Sequence, residues 1–339
     1  MTALTLSVPR MTRVTWYKHR VSMLGIPAVF LLAALLLFID GILQRQWLSS
    51  NHLSGCLVQW QNSGNSICVF SKNAAKLRAW GSFENVGRSN MTELAALALP
   101  SLVGLFAGVP WVAREFESGA FRYTWTQTGS PRSWLIGTFA PLALLAEASA
   151  AVLGLALYWW FQVAQWRSGS SYSVWIWQSF EASPLPIVSW TLLAMSLALL
   201  LGVTIRRVLP AMLAYVVAIG GCAVLGQTWL REHVFRIGQI VRPDSFVHPI
   251  ALDPLTTDIS QAWYTTRSGQ PVSLQALYDS EPGNVGNSSA WLQQHYDMWI
   301  GYQPHSHLVW LELARNGILV AVAALAVLAA LWWVRKRPA

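Results

Sequence analysis

The chain has 339 residues, of which 54% are apolar and 11% charged, with a formal net charge of +8. Soluble domains carry about 25% charged residues, and a mean hydropathy of +0.40 excludes a water-soluble enzyme and makes a multi-span membrane protein the expectation. The positive excess does not point to nucleic acid. In such a chain it reports which side of the bilayer each segment occupies.

In chain order, the first feature is a short basic segment. Arg10, Arg13, Tyr17 and Arg20 recur at three- and four-residue spacing behind Pro9, which suits an amphipathic helix lying along the inner leaflet over residues 1–20. Six stretches then reach the length needed to cross about 30 Å of hydrocarbon: 21–43, 93–113, 133–163, 184–205, 209–230 and 308–334. No small-residue cleavage site follows the first of them, so it reads as an anchor rather than a signal peptide. Ser130-Pro131 and Ser183-Pro184 each read as an N-cap followed by proline at the first helical position. The expected fold is all-α, a polytopic bundle of six transmembrane helices.

The connections are unequal. An outer loop over 44–92 carries Cys56 and Cys68, either one bridge in an oxidising compartment or two free thiols. A bridge is the expectation. Gly104-x-x-x-Gly108 in the second span allows close helix approach, to a neighbour in the same chain or in another subunit. The inner segment 114–130 opens with Arg114, Glu115 and Glu117, breaks at Gly119, and continues in alternating aromatic and polar residues through Arg122, Trp125 and Gln127. It is too amphipathic for a mere turn and suits an element that docks on a cytoplasmic partner. Glu147 lies near the middle of the third span, where a carboxylate marks either a polar contact in a translocation path or a hydrogen-bonded packing site. Residues 231–307 are too polar for a span and too long for a linker. They read as a small extracellular cap with helix-like pieces around Ser273–Ser280 and Ser289–Ile300. Residues 308–339 form the last span and a basic tail.

Sidedness follows from the basic residues. The amino-terminal segment, the inner segment from Arg114 to Arg132, the Arg206-Arg207 turn and the carboxy-terminal tail hold twelve Lys and Arg against two acids, so both termini are expected in the cytoplasm. The 20 Trp fit the same frame: Trp111, Trp134, Trp332 and Trp333 at the inner interface, and Trp159, Trp160, Trp190, Trp229 and Trp310 at the outer one.

Several chemistries are missing. None of the four lysines follows a glycine, so no P-loop exists to cradle nucleotide phosphates. No His-Glu-x-x-His or Gly-x-Ser-x-Gly occurs, and His295, His305 and His307 have no spacing specific for a metal. No metal site is expected. The two halves show no internal repeat, which argues against inverted-repeat secondary transporters.

The run Ala113-Arg114-Glu115-x-Glu117-x-Gly119, then Trp125-Thr126-Gln127 and Arg132-x-Trp134, resembles the second-span boundary of type-2 ATP-binding-cassette (ABC) exporter permeases, especially the small actinobacterial ones. Thr15-Trp16-x-x-His19-Arg20, the loop cysteines and Tyr302-Gln303-Pro304-x-Ser306 are similar as well. Ala120 departs from the Thr frequent there. The resemblance implies that two six-span permease chains, identical or sister subunits, enclose a pathway in the cell membrane above a pair of separate ABC ATPase subunits. ATP and Mg would sit on those partners, with no cofactor on this chain. Arg114, Glu115, Glu117, Gly119, Arg122, Trp125 and Gln127 would form the ATPase-coupling helix, and residues 1–20 the elbow helix. Glu147, Gly104 and Gly108 are candidates for the translocation path, and the cargo would be an amphipathic drug, lipid or peptide. Two other readings stand beside it: a sensor or immunity subunit whose cap binds a peptide or antibiotic without transport, and an intramembrane enzyme using Glu147 with His248, Asp244 and Asp253.

Overall fold

In the computed structural model, the described residues are 8–50, 98–121, 131–164, 184–230, 233, 240–244, 258–273, 276, 295–303 and 308–336. The first element is a single helix, α1 (Val8–Ser50). The separate amphipathic helix expected over 1–20 is therefore not a separate element. Nothing between Pro9, tolerated in a first turn, and Pro27 stops the helix, and Pro27 itself lies inside it. Its 43 residues extend about 65 Å, well beyond a hydrocarbon core.

The second expected span is helical but interrupted. Residues 98–103 lead into a π-helical segment, Gly104–Gly108, and then α2 (Val109–Glu117). The cause lies at Pro110. It has no N–H to donate, and its ring crowds the carbonyl one turn back. The widened turn, with Val109 N–H donating to Gly104 O, accommodates both. The remaining helices are α3 (Pro131–Ala164), α4 (Pro184–Ile205), α5 (Val208–Leu225) with a π-helical extension Gly226–Leu230, and α6 (Leu308–Lys336). Two of these begin at the prolines expected to start them. Among the described residues, five helices (α1, α3, α4, α5 and α6) are long and apolar enough to cross a membrane. Of the second expected span, 93–113, residues 93–97 lie outside the described residues and the π segment interrupts the rest.

Packing is set by a buried stripe on each helix. Met23, Ile26, Phe30, Ala34 and Leu37 of α1 join Leu142, Ala146, Leu153 and Leu157 of α3 in one cluster. α4 is the central helix, apolar on all sides and packed on α2, α3, α5 and α6. Its hydroxyls are satisfied within the helix: Ser189 donates to Leu185 O (3.0 Å), Thr191 to Ile187 O (2.7 Å) and Thr204 to Leu200 O (2.8 Å). The outward faces remain apolar, with Leu24, Leu36, Leu144, Leu213 and Leu325 all exposed, as helices facing lipid require.

The tryptophans divide. Trp229, Trp310 and Trp332 are exposed, as interface anchors would be. Trp111, Trp134 and Trp160 are 5%, 4% and 1% exposed and belong to the core. For these three the interface reading is corrected: each lies near a helix end but on its buried face.

The all-α expectation is also corrected. Strands β1 (Ile240–Asp244), β2 (Asp258–Thr266), β3 (Pro271–Val272) and β4 (Tyr296–Gln303) form an antiparallel sheet in the order β1-β4-β2-β3. β4 overlaps the stretch Ser289–Ile300 expected to be helix-like. Its aromatic and aliphatic residues Tyr296, Met298, Ile300 and Tyr302 recur every second position, a strand period. Trp299 Nε1 donates to Thr265 Oγ1 at 3.0 Å across the pair, and Trp263 stands opposite Trp299. Pro243 and Pro271 fall on the two edge strands, where a missing ladder donor costs least. The β2–β3 turn closes through Thr266 N–H to Gln270 O (2.9 Å) and Gly269 N–H to Thr266 O (2.8 Å), with Gly269 at φ +85°.

Candidate functional site

Two places in the bundle hold chemistry. The first is the end where α2, α3, α4 and α5 meet. α2 stops at Ser118–Gly119: Ser118 N–H donates to Arg114 O (3.0 Å), Gly119 N–H donates to Phe116 O (3.3 Å), and Gly119 adopts φ +72°. Only a residue without Cβ takes that conformation freely. Phe116 is the hub. Its ring lies 4.9 Å from Phe121 and 5.9 Å, edge to face, from Trp134 of α3, while the Arg206 guanidinium sits 5.4 Å from its centroid. Arg206 belongs to the two-residue turn between α4 and α5 and holds φ +61°, an uncommon state for a residue with a side chain.

Glu117 completes the junction. Its carboxylate accepts the backbone N–H of Val208, the first residue of α5, at 3.2 Å. A helix's first N–H groups have no intrahelical acceptor, and the helix dipole favours an anion there. Neither neighbouring cap side chain serves this end, since Arg207 makes no side-chain cap bond. The segment after the second expected span is thus tied by an aromatic stack and a charged cap to the α4–α5 turn.

Of the residues expected to contact a partner, Arg114 and Glu117 are exposed, whereas Glu115 is 6% exposed and turned into the chain. Arg122, Trp125 and Gln127 lie outside the described residues, as do Cys56 and Cys68. Cys222 is a half-buried free thiol. No group of three or more His, Cys, Asp or Glu suited to a metal occurs among the described residues. His248, Asp253, His305 and His307 fall outside them.

Gly104 and Gly108 pack within the chain. The open question of their neighbour resolves to α4 and α5. A Cβ on Gly108 would lie 2.8 Å from the Ala198 Cβ, one on Gly104 would meet the Tyr215 hydroxyl and lie 3.2 Å from Ala194 O, and one on Gly202 would lie 2.9 Å from Val112 Cβ. Residues 104, 108 and 112 thus run alongside 194, 198 and 202, small against small. Tyr215 OH donates to Ser101 O (3.1 Å) and Trp190 Nε1 to Ser101 Oγ (2.9 Å), just before the π turn. Sequence reasoning missed this Ser101–Trp190–Tyr215 hub. The nearby Gly-Pro signal, Gly108 followed by Pro110, could have located the helix defect it braces.

The second place is Glu147, midway along α3. Both carboxylate oxygens are buried with no hydrogen-bond partner among the described residues. One turn back, Ala143 and Ala140 line a cavity of about 180 Å³ between α3, α4 and α6, whose wall includes Met195, Ser196, Val327 and Leu331.

An apolar bundle with five helices long and apolar enough to cross a membrane among the described residues, and with Arg114, Arg207, Arg335 and Lys336 exposed at helix ends, defines a multi-pass membrane protein. A family model, ABC-2 membrane transporter related, matches residues 26–231. The match takes in more than half of the chain, and the protein belongs to this family, as a permease component of an ABC transporter. Neither the curated proteins nor the solved structures give a match.

Proposed function

We propose that the chain is one membrane half of an ABC exporter that moves an amphipathic compound out of the cytoplasm, driven by separate ATPase subunits that bind ATP and Mg. In this reading residues 98–117, which run alongside α4, are a sixth crossing, both termini are cytoplasmic, and a second permease chain completes the pathway. The sheet and its flanks over 231–307 lie outside as a cap, and Cys56 and Cys68 form a bridge in the first outer loop. Residues 114–130 receive the ATPase.

One observation carries the proposal: Phe116 and Glu117 join that segment directly to the α4–α5 turn. A push on residues 114–121 therefore acts on three helices at once rather than on a loose loop. Arg114 and Glu117, exposed at the junction, are the charges a partner meets, and buried Glu115 supports them from inside. Energy flows only if nucleotide and cargo each prefer one arrangement of the bundle over the other.

The test is ATP turnover by the complex purified from its native membrane, with Arg114→Glu against wild type. Loss of cargo-stimulated turnover in a variant that melts and elutes as wild type supports the assignment. Wild-type stimulation in the intact variant complex contradicts it.

A further inference from the structure

We propose that the cavity between α3, α4 and α6 holds one acyl chain of an anionic phospholipid, taken sideways from the leaflet at which α3 begins and α4 and α6 end.

The cavity is a groove with a floor and two walls. Met195 and Leu199 of α4, both buried, form the floor. Ala140 and Ala143 of α3 stand on one side, and Val327 and Leu331 of α6 on the other. The two outer helices each pack on α4, and the alanines are too short to close the space between them. Ile136 lines the same groove and is 52% exposed, so the opening is on the side of the bundle that faces lipid. The polar residue in the lining, Ser196, donates its hydroxyl to Leu192 O within α4. No group in the wall asks for a polar ligand.

Shape selects the occupant. On α3 the lining runs from Leu135 to Ala143, about 12 Å along the helix axis. The volume is about 180 Å³, little more than the roughly 150 Å³ of an apolar cavity that takes up one benzene. Drawn out over two helical turns, that volume is long and thin. A helix of a second subunit, about 10–12 Å across with its side chains, does not enter it. An unbranched hydrocarbon chain does, and it restores the dispersion contacts that an empty groove forfeits.

Charge selects the head group. The groove ends one turn from the membrane surface: Arg335 follows Leu331 by four residues, on the same face of α6 and about 6 Å along its axis. Arg335 and Lys336 are exposed there, as is Arg207 just past the end of α4. No Asp or Glu occurs in residues 131–146, 184–207 or 317–339, so the three groove-forming segments bring only positive charge to that end. Glu117, exposed at the end of α2, spends its carboxylate on the Val208 N–H. A lipid with one tail in the groove carries its phosphate to this surface. A guanidinium pairs with phosphate in a fixed two-bond geometry, and basic pockets between spans hold anionic head groups.

The experiment places the purified full-length chain in nanodiscs of equal parts 1-palmitoyl-2-oleoyl phosphatidylglycerol and the matching phosphatidylcholine, releases it in mild detergent and weighs it by native mass spectrometry. One retained phosphatidylglycerol per chain is expected, in preference to phosphatidylcholine. Arg335→Gln should cut that preference about fivefold, the attraction of one surface cation for anionic lipid. Ala143→Leu, which fills the groove, should remove retention of both lipids. Phosphatidylglycerol carrying a diazirine in one acyl chain maps the site on the wild-type chain, and its cross-links should concentrate in residues 135–143, 192–199 and 327–331. If Ala143→Leu fails to fold, that map decides. No retained lipid, equal retention of the two lipids by wild type, undiminished retention in an Ala143→Leu variant that elutes as wild type, or cross-links spread evenly over the exposed faces of α1 and α5 overturns the proposal. Loss of dimers with lipid still retained in Ala143→Leu overturns it too, by showing that a second copy covers the groove.

Discussion

Asp40 and Glu147 are two carboxylates in neighbouring, tightly packed helices, and their surroundings differ completely. Asp40, toward the far end of α1, accepts Trp160 Nε1 at 2.8 Å and the Gln44 side-chain amide. One turn on, Arg45 lies 4.4 Å from the Trp159 ring centroid, and the same ring fills the space beside Gly41. Asp40 is thus doubly held and α1 is clamped to α3, although the Gln44 Oε1 is buried with no partner among the described residues. Glu147 sits at the centre of the same α3, where neither buried carboxylate oxygen has a hydrogen-bond partner among the described residues. The chemistry is the same and the consequence opposite. A satisfied carboxylate stabilises the bundle, whereas a buried one without a partner costs stability.

The difference can be broken by mutation. The largest effect is expected for Asp40→Ala. It strands the indole N–H of Trp160, a residue 1% exposed, and an unsatisfied buried donor costs about 1–3 kcal/mol. Thermal melting of the purified chain should fall clearly, and an unchanged melting point would mean the clamp is ornamental. Gly119→Ala comes next and extends the contrast to the end of α2. Open space surrounds a Cβ there, so the cost is the backbone alone, about 1–2 kcal/mol for an L-residue at φ +72°. Gly119→Asn, which tolerates this conformation better, should recover part of the loss. The smallest effect is expected for Glu147→Leu. Removing a carboxylate that makes no hydrogen bond among the described residues should leave melting unchanged or raise it. A destabilised Glu147→Leu would show that the group is structural after all, like Asp40.

Much of the bundle was legible because membrane spans are written in long apolar runs, and proline marks their starts at Pro131 and Pro184. Three features were not. The continuity of α1 through residue 20 depends on the absence of any breaker, which is a weaker signal than a change of amphipathicity. The division of residues 98–117 is local: Gly104, Gly108 and Pro110 were all visible, but the π turn they produce follows from carbonyl crowding that no hydropathy window senses. The sheet was missed because its strands are short and half polar. In β4 the alternation of Tyr296, Met298, Ile300 and Tyr302 outweighs the helix-like look of the residues before it. At the end of α2, Gly119 was readable as a helix stop. The seating of Glu117 on the first turn of α5 was not, since the two are 91 residues apart in sequence and meet only once α2, α4 and α5 have packed.

The central claim is that this membrane protein works through an engine it does not contain, gripped beside Glu117. The most direct measurement is uptake of a panel of labelled amphipathic compounds into inside-out vesicles holding either the permease chain alone or the complex purified from native membranes. The account predicts accumulation that requires the complex and hydrolysable ATP and is lost in Arg114→Glu. Concentrative uptake by the chain alone, with no nucleotide present, would contradict it.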